Sequence, residues 1–384
     1  MTGRPIRVAF ILPNLDAGGA QRVMITLMRH LDPAAIKPVL IALSTDGVLA
    51  NRIPPTVERI DLGRPRLARA APAVLRSLRR SGCDAVVSSI WHVNALTAAH
   101  RAVAGRPFTV LREANMPDRV SDAVPWWMFP RAVYRWLYPR ADALIASSAL
   151  MARALGRVAP AARNRITVLP NPVDVSALRD RAMPPRREPG SGRRFVAVGR
   201  LHRQKGFDRL LPLMDDLDPE DRLTVIGDGR QRADLEALRD SRGLGDRVRL
   251  HPRTDRPEPW IAGADALILP SRWEGLPNVA LEALALGTPV IASRESGAIG
   301  EIADAAATGA VTIVSCGPEM IAAMRRVLPG DPGTPRACLL PDAFEARAVA
   351  AAFEALIRRG LDCRARHGER TVGGASADRS GGDT

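Results

Sequence analysis

Glu274 and Glu282 stand eight positions apart in SRWEGLPNVALEALALGTPVIAS, residues 271–293. The first falls in a loop just past the apolar strand ALILP, and the second inside the helix that follows. A carboxylate can accept a pair of hydroxyl hydrogen bonds, such as a ribose or hexose offers. Between the two, Gly275, Leu276 and Pro277 precede the helix, where free backbone amides can receive an anion. The competing reading makes both carboxylates ordinary salt-bridge partners.

A second stretch, GRLHRQKGFD (199–208), places Arg200 and Lys205 five apart with Gly206 leading into the next helix. A diphosphate is held by cations that close on it from more than one direction, a planar fork such as Arg and a mobile point charge such as Lys. Lysine is otherwise nearly absent: 53 of the 55 basic residues are Arg, and Lys37 is the other Lys. A third stretch, PNLDAGGAQR (13–22), joins a strand to a helix through Gly18 and Gly19. Glycine there permits close backbone approach to an anion at the helix start, although an ordinary tight turn has the same residues. Neither the GxGxxG dinucleotide fingerprint nor the GxxxxGK[ST] phosphate loop occurs.

These loops must be positioned by strands and helices. Apolar strand candidates lie at 7–12, 38–43, 84–89, 108–111, 143–147 and 166–169, most of them separated by helical patterns. A stretch rich in Pro, Gly and charge, 171–194, interrupts the pattern. The alternation then resumes at 194–199, 222–227, 247–250, 265–270, 288–293 and 310–314. Continuous apolar strands with intervening helices describe a mostly parallel sheet covered on both faces. The expected fold is therefore α/β, with two Rossmann-like domains facing each other across a cleft. The boundaries read as 1–170 for the first domain, 171–192 for the linker and 193–343 for the second domain. A helix over 344–364, opened by a capping box at Asp342 and Glu345 and stopped near Gly360, is expected to pack back on domain one. Residues 365–384 have the composition of a disordered tail.

At 384 residues the chain exceeds the roughly 250–300 at which one core stops growing, and its 46% apolar content can fill two. Peptide hormones, knottins and lone binding modules are excluded. Charge is uneven: 28 basic against 13 acidic residues over 1–190, and 27 against 28 over 191–384. A basic half beside a neutral one suits a domain resting on an anionic surface, lipid or nucleic acid; an arginine-rich coding bias is the alternative. Cys83, Cys316, Cys338 and Cys363 are widely spaced and form no CxxC, so no metal site is expected and a reducing cytoplasm fits. The start MTGRPIRVAFIL lacks a signal-peptide pattern, and no apolar run spans a bilayer, so any membrane contact is expected to be peripheral. Trp126, Trp127, Phe129, Tyr134, Trp136 and Tyr138, six of fifteen aromatic residues, crowd into 126–138 with Arg131 and Arg135. Such a segment suits either a lipid interface or a helix lining an acceptor groove.

Taken together, AGGAQR (17–22), NPVD (171–174), GRLHRQKGFD, IGDG (226–229) and the Glu274 to Glu282 spacing resemble the retaining glycosyltransferases of family 4, which have the GT-B fold. The resemblance spans essentially the whole folded chain. It implies an enzyme, a hexosyltransferase or N-acetylhexosaminyltransferase, with Gly19 lending an amide near the donor diphosphate and Arg200 and Lys205 neutralising it. It further implies that Glu274 holds donor-sugar hydroxyls, Glu282 the nucleotide ribose, and Asn278 with the amides around Gly275 and Leu276 the sugar-phosphate. No metal or other cofactor is implied. Many relatives carry a histidine in a domain-one loop where this chain reads LREANMP (111–117). Glu113 and Asn115 remain as polar candidates there, and His92 in IWHVNAL is a candidate for the missing imidazole.

The motifs RExN and WHVNAL resemble the subgroup that builds bacterial surface polysaccharides. Implied partners are a UDP-sugar donor, a polyprenyl-diphosphate-linked or lipopolysaccharide acceptor, and an anionic membrane surface touched by Trp126, Trp127 and Arg131. The implied location is the cytoplasm, peripherally on the inner face of the membrane. Rival readings are a nucleotide-sugar 2-epimerase of the same shape and a basic nucleic-acid-binding or membrane-binding protein without catalysis. No nucleic-acid-reading motif supports a nucleic-acid partner.

Overall fold

The computed structural model describes residues 4–16, 18–63, 67–100, 107–119, 130–183, 192–330 and 336–373. Its first sheet orders seven parallel strands as β3-β2-β1-β4-β5-β6-β7, with β1 Ile6–Leu12, β2 Ile36–Ala42, β3 Glu58–Asp61, β4 Ala85–Ser89, β5 Phe108–Arg112, β6 Ala143–Ala146 and β7 Ile166–Val168. The second orders six as β10-β9-β8-β11-β12-β13, with β8 Arg194–Val198, β9 Arg222–Ile226, β10 Val248–His251, β11 Ala266–Leu269, β12 Val290–Ser293 and β13 Val311–Val314. Central strands are buried on both faces because helices cover each side, which is why they read as unbroken apolar runs. In each sheet the chain order reverses once, between β1 and β4 and between β8 and β11. Ligand crevices in open parallel sheets lie outside the carboxyl ends of the strands at such a reversal. The helices that open with Gly19 and carry His92 follow β1 and β4, and the loops holding Arg200, Lys205 and Glu274 leave β8 and β11.

Three local expectations are corrected. The strand β3, ERID, was not expected because it is an edge strand with three exposed positions, whose charges mask its strand character. Within the interdomain stretch, Val175–Arg179 forms a helix whose first turn is capped by Asp174 accepting from the Ala177 N–H at 3.0 Å. The last helix opens at Ala346, after a 3-10 turn at Asp342–Phe344 without a side-chain cap, and runs to Gly373. Gly360 therefore does not end it. A Cβ there would sit 2.1 Å from the Phe108 ring, so this glycine lets the helix lie close on β5.

That helix belongs to the core of domain one. Val349, Ala350, Phe353 and Ile357 join Phe10 and Val110 in one buried cluster, with the Phe10 and Phe353 rings 5.9 Å apart. The chain crosses between the domains twice, and the crossings clasp each other. Val173 N–H donates to Phe344 O and Ala346 N–H to Val173 O, both at 2.9 Å.

The aromatic segment divides. Tyr134 and Tyr138 are wholly buried, their rings 4.6 Å apart, and so are core residues with no interfacial role. Trp136 is 67% exposed beside the exposed Arg131, Arg135 and Arg140. Trp126 and Trp127 lie outside the described residues. Among the described residues no helix is long and apolar enough to cross a membrane.

Candidate active site in the interdomain cleft

In domain two, the loop after β8 folds into a 3-10 turn, Arg203–Lys205, ended by Gly206 at φ 70°. A Cβ at position 206 would lie 2.0 Å from Pro270 O, so only glycine lets this loop close on the one after β11. The closure brings Lys205 Nζ to 2.5 Å from Glu274 Oε1, which also accepts from Ser271 Oγ at 2.8 Å. Arg209 fixes the same loop from below, donating from Nε to Pro270 O (2.8 Å) and from Nη2 to Ser271 O (2.8 Å) and Ser293 Oγ (3.0 Å). Arg200 is exposed on the loop shared with Lys205. Leu276 is buried, so only its backbone can meet a ligand.

The helix Asn278–Ala285 starts directly after this loop and points its N-terminus at the cleft. Opposite it, the helix Gly19–His30 of domain one starts at Gly18 and Gly19. The two starts nearly touch: a Cβ on Gly19 would be 3.0 Å from Asn278 Nδ2. One turn deeper Arg22 Nη1 stands 3.8 Å from Glu282 Oε1. Burial pushes the Glu282 carboxyl above its ordinary range, with Arg22 opposing the shift. Two further contacts tie the domains. Glu301 accepts from the Ala149 and Leu150 N–H groups at 2.7 and 2.8 Å, and a Cβ on Gly275 would meet Met151 Cε at 2.4 Å.

Domain one contributes a different kind of site. Ile90, at the end of β4, has φ 79°, a strained value for a β-branched residue. It turns the chain into the helix Trp91–His100. His92 is half-buried with its ring edge-on to Trp91 at 5.7 Å, and burial lowers its basicity, which favours the neutral imidazole. Glu113, a polar candidate in the sequence, is fully buried. Its carboxylate accepts from Tyr138 (2.6 Å), Tyr134 (3.0 Å) and the N–H groups of Ala114 and Asn115 (2.9 and 3.2 Å). Burial still pushes its pKa up against these donors. Asn115 is exposed.

Several residues were missed by sequence reading. Arg112 is 4% exposed at the end of β5, donating from Nη1 to Ser89 Oγ at 3.1 Å and from Nη2 to Asn171 Oδ1, and burial lowers its pKa to about 10. Asn94 accepts from Ser88 Oγ (2.7 Å) and donates to Tyr138 Oη (3.0 Å) and Arg112 O (2.9 Å). The signal available was an Arg closing one apolar strand and an Asn in the helix that follows another. Among the described residues no cluster of His, Cys, Asp or Glu could hold a metal ion.

Two facing Rossmann-like domains with opposed helix starts at their switch points define the GT-B architecture. Solved structures share it. The lipopolysaccharide outer core galactosyltransferase WaaB superposes with a TM-score of 0.65 at 18% identity, over 92% of this chain and 99% of that one. Anabaena Alr3699/HepE in complex with UDP-glucose gives 0.67 at 16% identity, over 94% and 100%.

The family models match end to end. Glycosyltransferase Family 4 covers residues 17–177 and Glycosyl transferases group 1 covers 179–332. The chain belongs to the group 1 glycosyltransferases. A D-inositol 3-phosphate glycosyltransferase of Xylanimonas cellulosilytica is 36% identical over 176 residues, 41% of either chain. A homologous D-inositol 3-phosphate glycosyltransferase 1 of Catenulispora acidiphila is 28% identical over 83% of this chain and 84% of that one. The lipopolysaccharide core biosynthesis glycosyltransferase LpsE of Rhizobium meliloti is 36% identical over 27% of this chain and 30% of that one.

Proposed function

We propose that the protein moves a sugar, with retention, from a UDP-sugar to a hydroxyl of a lipid-linked or polysaccharide acceptor in cell-surface glycan assembly. The observation that carries this reading is the Lys205–Glu274 pair beside the Asn278 helix start at the domain-two switch point, with the Gly19 helix start of domain one set against Asn278. Diphosphate oxygens would be met by Arg200, Lys205 and the backbone amides at residues 275–278. Charge grows on the departing phosphate as the glycosidic bond lengthens, so these donors stabilise the transition state more than the ground state. The same donors neutralise the leaving group without a metal.

Glu274 would hold donor-sugar hydroxyls through its second oxygen, Oε1 being taken by Lys205 and Ser271, and would form no covalent adduct. The donor phosphate itself would take the acceptor proton in a same-face displacement. Glu282 would take the ribose, displacing Arg22, and His92, held neutral, would face the sugar from domain one. The excess of basic over acidic residues in the first half and the exposed Arg131, Arg135 and Trp136 support resting on an anionic membrane face. That face is expected to be the inner side of the cytoplasmic membrane, where a polyprenyl-linked or lipopolysaccharide acceptor sits.

A thermal-shift screen of nucleotide sugars tests the donor assignment. UDP-sugars should raise the melting temperature, and no shift with any nucleoside diphosphate sugar would overturn it. Sugar interconversion in a mixture of protein and donor alone would favour an epimerase. Flotation with anionic liposomes should fall when Arg131, Arg135 and Trp136 are replaced together by Ala or Ser; unaltered flotation rejects the membrane contact.

A further inference from the structure

The guanidinium of Arg112 heads a line of hydrogen bonds that leaves domain one, passes through the interdomain crossing and ends at the cleft. Arg112 donates to Asn171 Oδ1, and Asn171 Nδ2 donates to Asn278 Oδ1 at 2.5 Å. The direction of the line is set by its first member. A guanidinium has no acceptor, so Asn171 must face it with its carbonyl. Its NH₂ then faces Asn278, which must answer with its own carbonyl. The Asn278 NH₂ is thereby left pointing the other way, 3.0 Å from where a Gly19 Cβ would stand.

Two features make this more than packing. Asn278 is the first residue of the helix whose start faces the cleft, so its NH₂ adds a side-chain donor to the backbone amides there. Arg112 and Asn171 are both buried, at 4% and 5% exposure, and the side-chain partners of Arg112 among the described residues are neutral. A buried cation whose hydrogen-bonded side-chain partners are neutral, with only the Glu113 carboxylate favouring its charge through space, is expensive to maintain as mere filling.

We propose that Arg112 and Asn171 are positioning residues that lock the Asn278 side-chain amide in the orientation that donates to the donor diphosphate, so that domain one helps to shape the phosphate site of domain two. The proposal rests on the donor reading above and adds to it two residues that do not touch the ligand. Because the three residues come from domain one, the crossing and domain two, the line exists only when the domains sit as they do here.

The discriminating variant is Asn171→Asp. It gives Arg112 a carboxylate in place of an amide oxygen, so a merely structural role predicts an unchanged or higher melting temperature and unchanged ligand affinity. It also removes the donor to Asn278 Oδ1, freeing that amide to flip. UDP, titrated calorimetrically into the full chain, should bind about tenfold more weakly to Asn171→Asp at an unreduced melting temperature. Asn278→Ala should lose about as much, and the double variant should bind no more weakly than Asn278→Ala alone.

Additive losses would mean that the new charge at 171 simply repels the diphosphate, and would overturn the relay. Unchanged UDP affinity in Asn171→Asp would overturn it as well. Should that variant fail to fold, Arg112→Lys keeps the charge and loses the fork; the same tenfold loss, again absent on an Asn278→Ala background, is expected, and full affinity rejects the proposal. Wild-type protein that binds neither UDP nor GDP would instead refute the donor reading itself.

Discussion

The two sides of the cleft share one topology and differ in how they hold charge. On the domain-two side, Lys205 and Glu274 come from two loops and meet in a charge-assisted bond, and Lys205 is partly exposed. On the domain-one side, Arg112 and Glu113 are adjacent in sequence, both buried, and satisfied mainly by hydroxyls, amides and backbone groups. A ligand that arrives charged needs partners that can exchange an internal bond for one to the ligand. The loop pair is of that kind. A frame that must keep its shape while this happens is better built from groups whose every bond is internal. The difference assigns chemistry to the second domain and geometry to the first.

The sharpest way to break this contrast is to remove one carboxylate from each side. Glu274→Ala should lower transfer by 10²-fold or more, as loss of a positioned transition-state contact does, while UDP affinity and melting temperature change little. Equal losses of UDP affinity and turnover would make Glu274 a nucleotide ligand and erase the division. Glu113→Ala should do the reverse. It strands two tyrosine hydroxyls and two N–H groups in the core, so unfolding in urea should show a destabilisation of about 3 kcal/mol or more. A variant that stays fully stable yet inactive would place Glu113 in the chemistry after all.

Lys205→Ala and Arg200→Ala test whether the domain-two charges serve the diphosphate. Each should weaken UDP binding by about tenfold, the worth of a charge-assisted hydrogen bond near the surface. Lys205→Ala should also lower turnover, because Glu274 loses a partner. UDP titration of both variants decides this, and unchanged affinity in the pair would leave the anion to the backbone amides alone. Gly19→Ala should have a smaller effect, a few-fold loss of UDP affinity, because the new methyl meets Asn278 Nδ2 at 3.0 Å and must push that amide aside by a few tenths of an ångström. An unperturbed affinity would show that the contact between the two helix starts is slack.

The contrast also explains what could be read in the sequence. The alternation of apolar strands and helical patterns announced both sheets, because strands buried on both faces have one composition wherever they occur. The domain-two loops were legible for a related reason. Arg200, Lys205, Glu274 and Glu282 are charged residues in short motifs, and Lys205 stood out in a chain with two lysines. Domain one's network was not legible, since Ser88, Asn94, Arg112, Glu113, Tyr138 and Asn171 are scattered over more than eighty positions and meet only after folding. Glu113 reads in the sequence as a polar loop candidate, and nothing local reveals that two buried tyrosines close over it. Gly360 was read as a stop because nothing local reveals that Phe108 presses against it.

The smallest effect expected concerns His92, proposed above to face the donor sugar and half-buried beside Trp91. Burial lowers its pKa below the ordinary imidazole value. The native state therefore binds this proton less readily than the unfolded chain does. Its contribution to stability is fully present above the unfolded pKa of about 6.5 and is lost as pH falls through the lower folded value. Urea midpoints at pH 7.5 and 5.5 should accordingly differ more for the wild type than for His92→Gln, and transfer should decline over the same interval if the neutral ring is what faces the sugar. Identical midpoint differences in the two proteins would mean that the imidazole titrates freely in solvent. His92 would then join the exposed loop charges, and the boundary between framing and reacting groups would have to be redrawn through domain one.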